Sequence, residues 1–497
     1  MAKRAPCIWL AFLVAAGCAE RLPQAELRLR HLEADLAKSR RTPPPPSPLD
    51  LEMAVAYALE HNLALWATAQ EREIQEEMIN RTRLDMLPGL VAEAEASRRS
   101  APHAAYSEDV ESGRKSSRAT FSAEVEARRF DAAAVWHLLD FGLTFLRAQQ
   151  AADRAAMAAE RWNRARQTLV LDVIRAYWQA VVLRDISRHA AQRRQEIAAM
   201  LASVRTAVAE KALSEVEGLK REAPLLEQDA RLRRHEAEYA EAVAALADLL
   251  GAPPGAWVEP KDETFPPTPA EAPDVAALCA EALRQRPELR EKDLEQRISA
   301  TEARAAIIRW LPSPSLFGRW DRDLDAYLYR HEWTTAGLRV AWDLLRLPHA
   351  IQDRRLALGQ AELAARQRQA LAAGILIQVH IAAMAYEAAW EQERMARQTA
   401  DVRSKLAQAV AGMAKEGSAN EAEVLDQNLR WLASRSQWLM AYANLMTSRA
   451  RLLHSIGRNP LEAAELPCRS ADDKAAEIAA GMRVPEPLAP PLAEEKP

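Results

Sequence analysis

The side chains whose types and positions suit chemistry are few, and they are scattered along 497 residues. Four cysteines occur, Cys7, Cys18, Cys279 and Cys468, without a CxxC pair or any spacing that would hold a metal. Cys279 and Cys468 would bridge only in an oxidising compartment; two unpaired small hydrophobes are the simpler reading. Ten histidines lie apart from one another, and no HExxH, GxSxG or phosphate-binding glycine loop is present. The sequence offers no catalytic residues, no metal ligands and no cofactor site, so an enzyme is not expected. His137 and His349 fall where strands are predicted to give way to helices, and junction packing accounts for them. Cys18 is the exception. It follows Lys3 and Arg4, the apolar run Ile8-Trp9-Leu10-Ala11-Phe12-Leu13-Val14 and the small residues Ala15-Ala16-Gly17, the layout of a secretory signal over 1–17. A thiol at that point is a candidate for acylation. The alternative is ordinary cleavage near Ala16, with Cys18 incidental.

Composition bounds what surrounds these groups. Glycine is scarce at 15 residues, alanine abundant, and charged and apolar residues interleave for hundreds of positions, as in long helices and coiled coils. Net charge is −4 and the isoelectric point about 6.3, with no basic face to bind nucleic acid. Mean hydropathy is −0.29, and beyond the N-terminus no apolar run approaches the ~20 residues of a spanning helix. A β-barrel, whose strands alternate, escapes that exclusion.

The positioning elements occur twice. Asp50 to Pro88 aligns with Asp274 to Pro312 at an offset of 224, and from Trp136 onward the offset is 206, matching Trp136 with Trp342, Leu219 with Leu425, Gly251 with Gly457 and Pro254 with Pro460. The offsets differ by 18 residues, a length change placed between Pro88 and Trp136. The layout is a signal peptide (1–17), a linker (18–48) with the stiff spacer Pro43-Pro44-Pro45-Pro46, repeats at 49–260 and 261–460, and a tail at 461–497.

Each repeat opens with a helix, to about Met86 in the first copy and Trp310 in the second, with Asp50 and Asp274 suited to their starts. After Leu87-Pro88 and Leu311-Pro312 the period falls to two, predicting strands at about 88–100, 119–131, 312–323 and 333–343. Leu90, Ala92, Ala94 and Ala96 alternate with Val91, Glu93, Glu95 and Ser97; Phe121, Ala123, Val125 and Ala127 alternate with Ser122, Glu124, Glu126 and Arg128. Glu93, Glu95, Glu124 and Glu126 are expected on the watery side. A small soluble sheet would need its apolar face covered, and no segment is available for that. Four strands cannot close a membrane barrel, which begins at about eight, so several chains would pool theirs.

Long helices follow, from about Phe141 to Val208 and from about His349 to Met413. At ~1.5 Å per residue each would reach about 100 Å. The returning helices carry a seven-residue seam, Leu425, Leu429, Leu432, Ser436, Leu439, Ala443, Met446, Ala450 and Leu453. Its copy is Leu219, Ala223, Leu226, Ala230, Arg233, Ala237, Ala240, Ala244 and Ala247. Both seams are expected to be buried against neighbouring helices.

In order and spacing, Leu51-Glu52-Met53-Ala54-Val55 through Leu87-Pro88, then Trp136-His137-Leu138-Leu139-Asp140-Phe141-Gly142 and Trp342-Asp343-Leu344-Leu345, resemble the TolC-like outer-membrane factors of bacterial tripartite efflux and type I secretion systems. The likeness covers about Leu49 to Pro460. It implies a mainly α fold with a small β part: duplicated coiled-coil hairpins and four transmembrane strands per chain, joined in a homotrimer whose β-barrel continues into an α-helical barrel. It further implies a passive channel serving a periplasmic adaptor and an inner-membrane pump. Ala16-Gly17-Cys18 resembles a lipoprotein lipobox, with Ala15 where leucine is usual; acylation of Cys18, as by palmitate, would anchor the chain in outer-membrane lipid. The family's hairpin tips carry a pattern of Gly, Ser/Thr, Asp/Glu, Val and Leu. Gly417, Asn420, Glu423, Val424 and Leu425 keep most of it, whereas Lys211 takes the glycine position in the first tip. By this likeness Lys211, Ala212, Leu213, Ser214, Gly417, Ser418, Ala419 and Asn420 would contact the adaptor. Glu416 and Glu421 would narrow the entrance as a carboxylate ring, unless both are ordinary helix-end charges, since Lys415 and Lys211 could neutralise such a ring. The rival class is a lipid-anchored periplasmic coiled-coil adaptor or scaffold. The substrate and the particular pump are not legible.

Overall fold

The computed structural model describes residues 24–121, 123–268, 273–342 and 347–461. The signal segment, Cys18, Cys468, the tail from 462 and Asp343-Leu344-Leu345 lie outside the described residues. The elements are α1 (Gln24–Arg41), α2 (Leu51–His61), α3 (Leu63–Leu84), β1 (Gly89–Arg98), β2 (Glu126–His137), α4 (Leu138–Ala209) and α5 (Glu215–Leu250), then α6 (Val275–Gln285), α7 (Pro287–Ile308), β3 (Ser313–Asp323), β4 (Glu332–Ala341), α8 (Leu347–Lys415) and α9 (Glu421–Ser455). The chain divides into two compact units. One comprises residues 1–63, 169–268 and 389–447, and the other 64–168, 269–388 and 448–497.

The opening helix of each repeat is broken where one continuous helix was predicted. Asp50 and Asp274 cap α2 and α6, accepting from the amides of Met53 (2.9 Å) and Ala276 (3.0 Å). Twelve residues later Asn62 and Arg286 are extended, with ψ 116° and 121°. In the first unit the Asn62 side chain donates to the carbonyl of Leu249 at 3.0 Å. In the second, Arg286 donates to the carbonyl of Ser455 at 3.2 Å and to Gln378 at 2.9 Å. These are matching positions of the two repeats, and both satisfy last-turn carbonyls of a return helix. Gly251 and Gly457, at φ 69° and 85°, end those helices where an added Cβ would meet backbone of residues 61 and 285 at 2.7 and 2.8 Å.

In the first unit the seam of α9 is covered. Leu425 and Leu432 pack with Ala190, Ile197 and Leu201 of α4 and Leu232 of α5, and Leu439 and Leu445 are fully buried. The copied seam on α5 is not covered, contrary to expectation: Leu219, Ala223, Leu226, Ala230, Arg233, Ala237, Ala240 and Ala244 are all exposed. The helix turns Leu232, Ala242, Val243, Leu246 and Leu250 inward instead.

The second unit holds the sheet, α3, α6, α7 and parts of α4, α8 and α9, with Leu278, Leu289 and Ile375 buried in it. Within α8 a window is long and apolar enough to cross a membrane by composition, a run that Gln378 and His380 disguise in the sequence. It is two-sided: Ile375, Val379, Ala382 and Tyr386 are buried, and Ile377, Ile381 and Met384 are exposed.

Candidate functional site

Two regions carry the polar and exposed groups that bear on function: the sheet, and the turns joining α4 to α5 and α8 to α9. The sheet runs in the order β1-β2-β3-β4, every neighbouring pair antiparallel. Directly opposed residues share a face. The register sets Ala94 beside Phe130, Ala132 beside Trp320, and Trp136 beside Leu316, itself beside Leu338. That face is apolar along its middle, and Leu90, Leu316, Trp320, Leu338 and Val340 are exposed on it. The opposite face brings together Glu95, Arg129 and Asp323, and Asp131, Arg319 and Asp321. Arg129 lies 2.8 Å from Asp323 and 3.9 Å from Glu95; Arg319 lies 2.6 Å from Asp321 and 3.8 Å from Asp131. A sheet of ten- to twelve-residue strands, apolar on one side and ion-paired on the other, suits a wall between lipid and water.

Two expectations change here. The second strand begins at Glu126, so Phe121, Ala123 and Val125 belong to the loop before it. Glu124 therefore lies outside the strands, where its amide donates to Asp325 (3.1 Å). Glu126 sits opposite Arg98 on the apolar side's outer end, beside Arg128, and not with Glu93 and Glu95. The polar groups the sequence reading missed are Arg129, Asp131, Arg319, Asp321 and Asp323. Their signal was available only once the register was known.

Aromatic rings border the apolar face at both ends. Near the helices Trp136 meets Phe141 edge-on at 5.7 Å, and the Trp342 indole donates to the Trp310 carbonyl at 3.2 Å. At the loop end Phe121 meets Tyr327 at 5.8 Å. Rings with one apolar and one wet side suit a membrane interface.

The two turns share one backbone design. In the second, Gly417 is left-handed at φ 76°, the Ser418 amide donates to Met413 at 3.0 Å, and Asn420 accepts from the amide of Glu423 at 2.8 Å, capping α9. In the first, Lys211 adopts φ 60°, the Ala212 amide donates to Ala207 at 2.9 Å, and Ser214 accepts from Glu217 at 3.3 Å. A lysine thus takes the conformation that glycine takes without steric cost. Packing beneath it is close, for a Cβ on Gly218 would lie 2.4 Å from Val208. Glu416 and Glu421 flank the second turn, both exposed and without an ion pair among the described residues. Among the described residues no group of His, Cys, Asp and Glu could hold a metal ion.

Comparison with known proteins gives a family resemblance over part of the chain, and a fold. The family model described as outer membrane efflux protein matches residues 54–252. No curated protein sequence matches the chain. Among solved structures, the CmeC outer membrane channel of Campylobacter jejuni aligns at TM-score 0.68 and 13% identity over 86% of this chain and 88% of its own. The MtrE outer membrane channel of Neisseria gonorrhoeae, in its open state, aligns at 0.65 and 17% over 82% and 89%. The outer membrane protein VceC of Vibrio cholerae aligns at 0.63 and 15% over 82% and 96%.

Proposed function

We propose that the chain is a member of the TolC-like outer-membrane factor family and one subunit of a homotrimeric outer-membrane efflux channel, a reading supported by the family-model match over residues 54–252 and by the fold shared with solved channels. Substrates delivered by an inner-membrane pump, through a periplasmic adaptor, would pass along it passively. The observation that carries this reading is the sheet. Its apolar face has no cover among the described residues, its other face is charged, and its outer strands β1 and β4 each leave one edge unpaired. Unpaired edges in lipid are costly, and closure removes them. Three copies supply twelve strands, enough for a barrel where four are too few.

Acylation of Cys18 would hold the chain to outer-membrane lipid. The turns at Lys211–Ser214 and Gly417–Asn420 would meet the adaptor, and their exposure and shared backbone design support that. Three copies of Glu416 and Glu421 around one axis would form a carboxylate ring favouring cations. The decisive experiment is fractionation: trimers that dissociate on heating, extracted from outer membrane, are expected. A soluble monomer released by Cys18→Ser would overturn the channel in favour of a tethered coiled-coil adaptor or scaffold. The ring is tested separately in planar bilayers, where Glu416→Ala with Glu421→Ala is expected to lower cation selectivity. Unchanged conductance and selectivity would remove these residues from the gate.

A further inference from the structure

One guanidinium on the ion-paired face of the sheet has no carboxylate. Every other arginine of the strands, Arg98, Arg128, Arg129, Arg319 and Arg322, has a carboxylate oxygen at 2.6–3.8 Å. Arg339 of β4 is exposed, and its side chain makes neither an ion pair nor a hydrogen bond among the described residues. Register isolates it. His137, Ser315 and Arg339 stand side by side across three strands, and Val135, Phe317 and Gly337 form the next row. Neither row holds an acid. The carboxylates of this face, Glu93, Glu95, Asp131, Asp321 and Asp323, lie on the rows toward the loops, and the first of those rows on β4 is marked by Trp333, opposite Asp321. Trp333 precedes Arg339 on the strand by roughly 20 Å, farther than an arginine side chain reaches.

A ring takes the place of the missing acid. The Arg339 guanidinium carbon lies over Phe317, 5.3 Å from its centroid, and that ring crosses Gly337 so closely that an added Cβ would stand 2.7 Å from its Cζ atom. Contact with a π face restrains the guanidinium without using the N–H fork that matches both oxygens of a carboxylate. The cation, the ring and the small apolar side chains Ala133 and Val135 line one concave basin of about 760 Å³. Resting on the channel reading above, we infer that this basin binds organic acids passing through the channel: the carboxylate takes the fork of Arg339, and a compact apolar body lies on Val135 and Phe317. A cation would be repelled at that point, and a neutral apolar molecule would gain no hydrogen bond from the fork. The site therefore assigns amphipathic organic anions as a substrate class, and each copy in a closed barrel would present it once to the conduit.

Single-channel recording of the full chain in planar bilayers tests the site, with benzoate as the probe. Benzoate is expected to lower the potassium chloride current of the parent in a saturable way. Benzyl alcohol and phenyltrimethylammonium, the neutral and cationic counterparts, should leave the current unchanged at the same concentration. Arg339→Gln removes the charge and the fork, and should raise the half-blocking concentration of benzoate by at least about tenfold, the loss of one charge-assisted pair. Arg339→Lys, which keeps the charge and loses the fork, should fall between the two. A parent channel that benzoate does not block, or that all three probes block alike, overturns the site whatever the variants do, and leaves the channel reading intact. Block that is unchanged in Arg339→Gln overturns it too. Parent preparations that form no channel overturn both readings.

Discussion

The return helices α5 and α9 are copies with the same seven-residue seam, yet one seam is buried and the other lies open. Leu432 is packed among α4 side chains, and Leu226, its counterpart, faces solvent. The difference teaches that a heptad pattern records a demand for cover without saying which chain supplies it. Burial of the α9 seam is met inside the molecule, while the α5 seam has no cover among the described residues.

Substitution can break that contrast. The largest effect is expected at Leu432→Ala, where a buried leucine is lost and thermal or denaturant unfolding should report a cost of about 2–5 kcal/mol. Leu226→Ala, at its exposed counterpart, should stay within about 0.5 kcal/mol in the same measurement. Next comes Arg435→Ala, which strips two charge-assisted hydrogen bonds from a half-buried Asp185; about 1.5–3 kcal/mol is expected in the same measurement. Smaller again is the exchange at the turns. Lys211→Gly should stabilise by about 0.5–1 kcal/mol by relieving a left-handed lysine, and Gly417→Ala should cost about as much, read as opposite shifts in Tm. The smallest is a pH effect at Asp229, whose carboxyl is held below its ordinary pKa by hydrogen bonds from Arg233 and Arg194. A lowered folded pKa gives stability that is present above the unfolded value of 3.8 and lost as pH falls through the folded one. Urea unfolding of Asp229→Asn should therefore differ from the parent at pH 6 and converge with it near pH 2.

Much of this was legible in residue order. The strand-loop-strand segments, the long helices and the buried seam of α9 follow from spacing, which the backbone translates directly into faces, whereas the same spacing on α5 did not foretell an exposed seam. Other features were hidden for identifiable reasons. Phe121, Ala123, Val125 and Ala127 alternate as well as any strand, while Arg129 and Asp131 make the true one look too charged until Glu95, Asp323 and Arg319 are placed across from them. The break at Asn62 has no local cue, since its cause is the Leu249 carbonyl far along the chain. Its copy had one: Pro287 disfavours a helical Arg286. Of the site, the turns were found by matching Lys211 to Gly417. Their shared left-handed conformation required coordinates.

The even number of strands in the sheet has a consequence for stoichiometry. Because β1 and β4 run in opposite directions, β4 of any copy can meet β1 of another as an ordinary antiparallel neighbour, with inside and outside faces preserved. Two, three or four copies would satisfy that pairing rule equally, so strand direction leaves the number of copies undetermined. Counting must be done by parts of the chain whose geometry does not repeat so indifferently, and the angle at which one long helix settles against another is the natural candidate.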